Sequence, residues 1–182
     1  MRMREAVLEG AVLAAAALAA AGCRTQGEAR VQELGRALFD VDGGTTWKNH
    51  VTAVPDPGGS GRRVWDGEKV SSTSQKMSFV NSGGFFTVPD GYRGRAVLRL
   101  WVSGSRRLRV AMTGKQTRSY YLAAPAEGRW FDLELPLEHL RGKLAEGEPV
   151  DDITVWLQPP VDGGTLPEGS KLYLEKALLR AD

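Results

Sequence analysis

Apolar and polar residues alternate most regularly along residues 95–112, which read R-A-V-L-R-L-W-V-S-G-S-R-R-L-R-V-A-M. Every second residue is apolar on both sides of a short polar break: Ala96, Leu98, Leu100, Val102, Leu108, Val110 and Met112. A period of two with one apolar face is typical of a half-buried antiparallel strand. The pattern therefore predicts a hairpin of two strands joined by a turn at Ser103-Gly104-Ser105.

Shorter alternating segments recur along the chain and are separated by turns rich in Gly, Pro, Asp and Asn. We predict further strands at residues 37–41, 76–80, 85–88, 118–123, 130–135, 153–157 and 171–179. About eight short strands without a convincing amphipathic helix predict an all-β fold, a single β-sandwich of the jelly-roll kind.

The first 23 residues differ from the rest of the chain in their hydrophobic pattern. Arg2 and Arg4 precede an unbroken apolar run, A-V-L-A-A-A-A-L-A-A-A, at residues 11–21. As a helix this run would span roughly 16 Å at ~1.5 Å per residue, about half of a bilayer core, so it predicts the core of a signal peptide and not a membrane span.

The run ends in L-A-A-A-G-C at residues 18–23, which resembles the bacterial lipobox, and Cys23 is the only cysteine of the chain. The resemblance implies a signal peptide at 1–22 and a lipidated Cys23. From the polar composition and the strand pattern that follow, we expect Cys23 and a flexible tether at 23–36 and the β-sandwich at 37–182. A chance buried thiol or an ordinary secretory peptide are the alternatives. By resemblance to enterobacterial sorting, Arg24 implies an anchor in the outer membrane of the bacterial cell envelope.

Charge and cysteine content narrow the class of protein further. The net charge of +2 is too small to favour a nucleic-acid partner. A single cysteine excludes a disulfide within the chain, so the domain depends on its core for stability. The membrane, through the lipid anchor, and a glycan or an envelope protein are the expected partners.

Candidate binding residues lie on the outward parity of the predicted strands: Arg99, Trp101, Arg109, Tyr121, Trp156 and Gln158. Aromatic faces suit the apolar patch of a sugar ring, and charged or amide side chains suit its hydroxyls. If the strands share one sheet, all of these residues except Tyr121 form a single sugar platform, and Tyr121 is a further surface residue. The alternative is that each Trp is packed under a loop or a second layer, because Trp is highly buried on average.

Candidate catalytic residues are few. Asp132 and Glu134 share a strand face about 7 Å apart at ~3.4 Å per residue, and glycosidases use two carboxylates across a cleft. Carboxylates on an exposed strand face are usually only solvated. His50 and His139 give no zinc signature, and no G-x-S-x-G elbow occurs. We therefore predict that the protein is not an enzyme and has neither catalytic nor metal-ligating residues.

Two segments carry a resemblance to a known fold family: G-R-W-F-D-L-E-L-P-L-E-H-L at 128–140 and S-K-L-Y-L-E-K-A-L-L at 170–179. Together with the strand order over about residues 38–179, they resemble the galactose-binding-like jelly roll of many carbohydrate-binding modules. The resemblance implies a non-catalytic glycan-binding role and makes Trp130 the structural tryptophan of the first motif.

The last strand departs from that family, whose members often have Asp-Asp here and use an acidic group of this strand to hold a structural Ca²⁺. This chain has Glu175-Lys176, which places a cation where a ligand of calcium would sit. We therefore expect no cofactor, although calcium held by Glu175 with Asp40 or Asp42 stays open.

These observations give one hypothesis and two alternatives. The hypothesis is a lipid-anchored, non-catalytic carbohydrate-binding module of the bacterial envelope, with an anionic glycan favoured by the arginines of its binding face. The first alternative is a structural or assembly lipoprotein that holds another envelope protein with the same face. The second is a glycan hydrolase centred on Asp132 and Glu134.

Overall fold

The computed structural model describes residues 37–41, 47–82, 84–87, 94–140 and 149–181. The predicted signal peptide, Cys23 and the tether lie outside these residues, so those assignments stay predictions. All strands named below belong to the unit Ala37–Asp182. Within the described part of the chain, no helix has the length and apolarity needed to cross a membrane.

The described residues form thirteen strands and one short 3₁₀ turn. The strands are β1 (Ala37–Asp40), β2 (Trp47–Asn49), β3 (Val51–Pro55), β4 (Arg63–Ser71), β5 (Ser74–Val80), β6 (Phe86–Thr87), β7 (Gly94–Ser103), β8 (Arg107–Thr113), β9 (Thr117–Ala123), β10 (Trp130–Pro136), β11 (Pro149–Val150), β12 (Asp152–Gln158) and β13 (Lys171–Ala181). The 3₁₀ turn, Leu137–Leu140, follows β10.

Two layers of antiparallel strands make the sandwich. Sheet A has the order β10-β7-β13-β4, and β1 and β3 pair with β13 and β4. Sheet B has the order β4-β5-β12-β8-β9, and β2 pairs with β5. Beside them, β6 and β11 form a separate two-stranded sheet. The predicted all-β jelly-roll sandwich is confirmed.

Strand β4 belongs to both sheets. Its Trp65 and Asp66 pair with β13, whereas its Glu68 pairs with β5. Gly67 lies at the transition, where an added Cβ would stand 3.1 Å from the carbonyl oxygen of a β5 residue. A side chain at this position would crowd the backbone of β5, and glycine avoids that tight contact.

Inward side chains of both sheets form the core. Those at most 1% exposed include Met77, Phe79, Leu98, Leu100, Val102, Val110, Met112, Val155, Leu157, Leu172 and Leu174. The inward residues expected from the alternation in β7, β8, β10 and β12 are all buried, which confirms those strands and their faces.

The predicted hairpin at residues 95–112 is wrong. β7 pairs with β10 and β13, while β8 pairs with β12 and β9, so the connection between β7 and β8 crosses from sheet A to sheet B. Beside it, the segment that leads from β9 to β10 crosses back from sheet B to sheet A. Ala124 N donates to Arg106 O at 2.6 Å, and Gly128 N donates to Val102 O at 2.8 Å. Backbone groups of the two connections are therefore hydrogen-bonded to each other. In a hairpin, the two strands would have supplied these partners.

Candidate functional site

The crossing divides the predicted platform between two surfaces. Arg99 and Trp101 lie on β7 in sheet A, whereas the other four candidates lie on sheet B: Arg109, Tyr121, Trp156 and Gln158. Outward faces of two packed sheets point to opposite sides of a sandwich. The prediction of one platform that joins Arg99 and Trp101 to Arg109, Trp156 and Gln158 is therefore wrong, because it assumed that the strands share one sheet.

The outward surface of sheet A, called the A face below, carries a row of three aromatic residues on adjacent strands. Trp101 pairs with Trp130 on one side and with Tyr173 on the other. The Trp101 and Tyr173 rings are 5.2 Å apart and meet edge to face at 60°. Adjacent strands are about 4.8 Å apart, so the row spans roughly 10 Å across the sheet.

All three aromatic residues of this row are half-buried. Trp130, which the family resemblance made a structural tryptophan, thus belongs to the A face. Sequence reasoning also missed Tyr173, although the alternation of Leu172, Tyr173 and Leu174 gives it outward parity.

Charged side chains lie next to the aromatic row. Arg99 donates to Asp132 at 3.1 Å and approaches Glu175 at 3.5 Å. The register of β13 against β7 shifts here: Leu174 lies opposite Leu100, and Lys176 lies opposite Arg99. Glu175 is the extra residue of this β-bulge, and bulges often redirect side chains at binding sites.

A cleft of about 300 Å³ opens among these charges. Its lining consists of Arg62, Val97, Arg99, Asp132, Glu175, Lys176, Leu178 and Arg180. Four of these residues are basic and two are acidic, so the lining carries an excess of positive charge. Glu134, beside the cleft, accepts from Arg180 at 3.1 Å and from Arg95 at 2.5 Å.

The loop of residues 56–62 borders both the aromatic row and the cleft. Asp56, which is 7% exposed, accepts from Gly58 N at 2.7 Å, from the Ser60 hydroxyl and from Trp130 Nε1 at 2.9 Å. The Ser60 hydrogen bond above all, helped by Gly58 and Trp130, lowers the pKa of Asp56 to about 2 despite its burial. At the end of the loop, the Arg62 guanidinium forms an ion pair with Glu175.

An ion pair borders the other end of the row. Lys171 Nζ donates to Asp66 at 2.8 Å and lies 5.7 Å from the centre of the Tyr173 ring. The hydrogen bond to Asp66 raises the pKa of Lys171. Burial, and then the charge of Asp66, raises the pKa of Tyr173, so its hydroxyl stays protonated and can donate to a ligand.

The outward surface of sheet B, called the B face, holds a second row in which Lys76, Trp156, Arg109 and Tyr121 lie on adjacent strands. The Arg109 guanidinium lies 4.5 Å from the Trp156 ring centre and donates to Ser119 at 3.2 Å. One aromatic face of Trp156 is therefore covered by a cation of the protein itself. Tyr121 is 69% exposed, and Gln158 lies opposite Arg107.

Asp132 and Glu134 are both outward on β10, and each forms ion pairs with arginine. Both carboxylates of the predicted hydrolytic pair are therefore engaged by guanidinium groups of the protein itself.

The described residues contain no group of three or more His, Cys, Asp or Glu side chains placed to hold a metal ion. Glu175 instead contacts Arg62 and Arg99. Asp42 and the side chain of Asp40 lie outside what the structure describes, so their predicted relation to calcium stays untested.

No protein-family model and no curated protein matches this chain. Among solved structures, the agarase AgWH50C is similar with a TM-score of 0.53 and 11% identity, over 80% of this chain and 26% of the agarase. An exo-beta-agarase is similar with a TM-score of 0.51 and 9% identity, over 80% of this chain and 25% of the enzyme. This chain therefore spans about a quarter of each agarase, and at such identities the likeness shows the fold alone.

A carbohydrate-binding module, TmCBM61, solved in complex with beta-1,4-galactotriose, is also similar. Its TM-score is 0.46 and its identity 11%, over 81% of this chain and 99% of the module.

Proposed function

We propose that this protein is a non-catalytic glycan-binding module and that the A face is its binding surface. The observation that carries the proposal is the aromatic row Trp130, Trp101 and Tyr173 beside a charged cleft of about 300 Å³. Aromatic faces bind the apolar patches of sugar rings, while guanidinium and carboxylate groups bind the hydroxyls. The A face presents both kinds of group within reach of one oligosaccharide.

The solved structures support this proposal at the level of the fold. The jelly roll recurs as about a quarter of two agarases, which are enzymes named for a polysaccharide. A separate module within a larger enzyme suits a binding role. Because a fold alone does not fix a function, the weight of the proposal rests on the side chains of the A face.

We propose an anionic glycan as the preferred ligand. The cleft lining has four basic and two acidic residues, so its potential attracts carboxylate or sulfate groups on a sugar chain. Affinity for such a glycan falls as the salt concentration rises from 50 to 500 mM, because the Debye length shortens from about 14 Å to about 4 Å. Affinity for a neutral glycan of the same backbone changes little over that range.

A glycan array that contains matched neutral and anionic polysaccharides tests the proposal on the purified protein. We expect binding to one structural class of glycan and a clear loss of signal for Trp101→Ala. Absence of binding to every glycan at millimolar concentration contradicts the proposed function.

We further propose that Cys23 is lipidated and anchors the protein in the bacterial envelope, with Arg24 directing it to the outer membrane. Two or three acyl chains on one cysteine would hold a protein firmly at a membrane. Expression in bacteria with labelled palmitate tests this proposal: the label enters the wild-type protein and is absent from Cys23→Ser. Equal labelling of the two proteins contradicts it.

The B face favours a second candidate function, the binding of another envelope protein. Trp, Tyr and Arg are enriched at the centres of protein interfaces, and Trp156, Tyr121 and Arg109 are neighbours here. This assembly role predicts a protein that copurifies with the wild type and does not copurify with Tyr121→Ala. It also predicts that no glycan binds to the wild type.

A further inference from the structure

The loop of residues 56–62, called the Asp56 loop, is closed by its own backbone. Asp56 N donates to Arg62 O at 2.8 Å, and Gly59 N donates to Asp56 O at 3.0 Å. Gly59 and Gly61 adopt positive φ values of 74° and 76°, which an L side chain rarely adopts. The two ends of the loop are therefore joined by hydrogen bonds of the protein's own backbone.

The carboxylate of Asp56 is the centre of the loop. It accepts from Gly58 N and Ser60 Oγ within the loop, and from Trp130 Nε1, which is 74 residues away in sequence. Its side chain is 2% exposed, and Arg62 Nη2 is 4.0 Å from Oδ2. Burying a charged carboxylate costs free energy unless its hydrogen bonds are kept. Loss of any one donor would therefore destabilise the loop, and the carboxylate holds its donors in place.

Two of those groups belong to the A face. Trp130 is the first residue of β10, at the end of the strand order of sheet A, and its indole N–H points to Asp56. Arg62 lines the cleft and forms an ion pair with Glu175 on β13. The same carboxylate thus contacts one end of the aromatic row and the wall of the cleft.

We infer that Asp56 is a positioning residue of the glycan site, which orients the Trp130 ring and holds Arg62 over the cleft before a ligand binds. This inference rests on the proposed function. Side chains that are already ordered lose less conformational entropy on binding, so a fixed ring and a fixed guanidinium increase affinity. Asp56 itself does not touch the ligand.

The test compares four full-length proteins: the wild type, Asp56→Asn, Trp130→Phe and the double variant. Asp56→Asn keeps the size of the side chain and removes its charge, while Trp130→Phe keeps an aromatic ring and removes the indole N–H. Glu68→Gln is the matched control, since it makes the same kind of change at a carboxylate that contacts His50 away from the A face.

We expect Asp56→Asn to weaken glycan binding about tenfold, as the loss of one charge-assisted contact predicts, while Glu68→Gln binds like the wild type. The double variant binds no more weakly than the weaker of the two single variants, because both changes break the same link. Thermal unfolding shows that each protein is folded at the temperature of the titration.

Indole resonances report directly on the hydrogen bond between Trp130 and Asp56 and on the contact of Trp130 with a glycan. The chain has five tryptophans, so a proton–nitrogen correlation spectrum shows five indole N–H peaks. The peak that is absent in Trp130→Phe shifts in Asp56→Asn and in the glycan complex, and it stays in place in Glu68→Gln.

The outcomes separate the two proposals. If the wild type binds no glycan, the proposed function fails and this inference fails with it. If the wild type binds and Asp56→Asn binds equally well, or if the Trp130 peak does not respond to Asp56→Asn, only the positioning role of Asp56 is overturned.

Discussion

At the scale of the residue, Arg99 and Leu100 show that neighbouring side chains of one strand lie in very different environments. Arg99 contacts Asp132 and Glu175 in the cleft, while the next side chain, Leu100, is 0% exposed in the core. A strand alternates its side chains between faces, so adjacent residues serve function and stability separately. Substitutions at the two positions therefore have separate effects.

Leu100→Ala leaves a cavity in the centre of the sandwich. We expect the free energy of unfolding to fall by about 2–5 kcal/mol, the usual range for a fully buried leucine. Urea denaturation measures it, and Val161→Ala, at a side chain 64% exposed, is the control with little expected effect. A loss below about 1 kcal/mol for Leu100→Ala would contradict the burial described here.

Asp56 makes stability depend on pH in the acid range. Its pKa in the folded protein is about 2, compared with the ordinary 3.8. The unfolded chain therefore takes up the proton first as the pH falls, and the stabilising contribution is present above about pH 4 and is lost as the pH falls through 2. This lowering of the Asp56 pKa corresponds to a contribution of about 2 kcal/mol to the free energy of unfolding.

Urea titrations between pH 6 and pH 2 test this dependence. The free energy of unfolding of the wild type should fall with decreasing pH by about 2 kcal/mol more than that of Asp56→Asn. If the free energy of unfolding depends on pH in the same way for both proteins, the pKa of Asp56 is not lowered in the folded state.

At the scale of the element, the strands were predictable from alternation but their partners were not. The inward residues of β7, β8, β10 and β12 follow directly from a period of two. A polar turn such as Ser103-Gly104-Ser105 is equally compatible with a hairpin and with a crossing between sheets. What decides between them is the neighbouring crossing after β9, whose hydrogen bonds to Arg106 and Val102 involve residues distant in sequence.

Strand β4 shows a second limit of pattern reading. Its exposure changes from buried at Val64 and Trp65 to exposed from Glu68 onward, because the strand leaves one sheet for the other at Gly67. No single period describes such a strand, so alternation predicts no strand over most of its length.

The crossing between β7 and β8 depends on Gly104, and a matched control exists for it. Gly104 has φ of 79°, and an added Cβ would lie 2.2 Å from Ser170 Oγ. Gly128 has a similar φ of 69° with nothing within 4 Å of an added Cβ. Ala at either position adds backbone strain, and only Gly104→Ala adds a clash.

We expect Gly104→Ala to lower the free energy of unfolding by roughly 1–3 kcal/mol more than Gly128→Ala does. Urea denaturation of the two variants measures the difference. Equal losses would mean that the Ser103–Ser105 turn does not pack against Ser170 as described.

At the scale of the molecule, the sandwich separates two outward faces that sequence alone had merged. The outward parity of Arg99, Trp101, Arg109 and Trp156 was predictable from the alternation of their strands. The division of these residues between the A face and the B face was not predictable, because it follows from strand pairing. Arg62 and Glu175 join the A face through a loop and a β-bulge, neither of which the alternation locates, whereas Tyr173 has outward parity in a strand that the alternation predicts.

The division into two faces makes the central claim testable in one measurement. Isothermal titration of an anionic glycan compares the wild type with two double variants that remove the same residue types from opposite faces, Arg99→Ala/Trp101→Ala and Arg109→Ala/Trp156→Ala. We expect the A-face variant to bind at least about 30-fold more weakly, since central aromatic and arginine contacts contribute about 2 kcal/mol or more, while the B-face variant keeps wild-type affinity. Loss of binding in the B-face variant, with affinity retained in the A-face variant, would contradict the account.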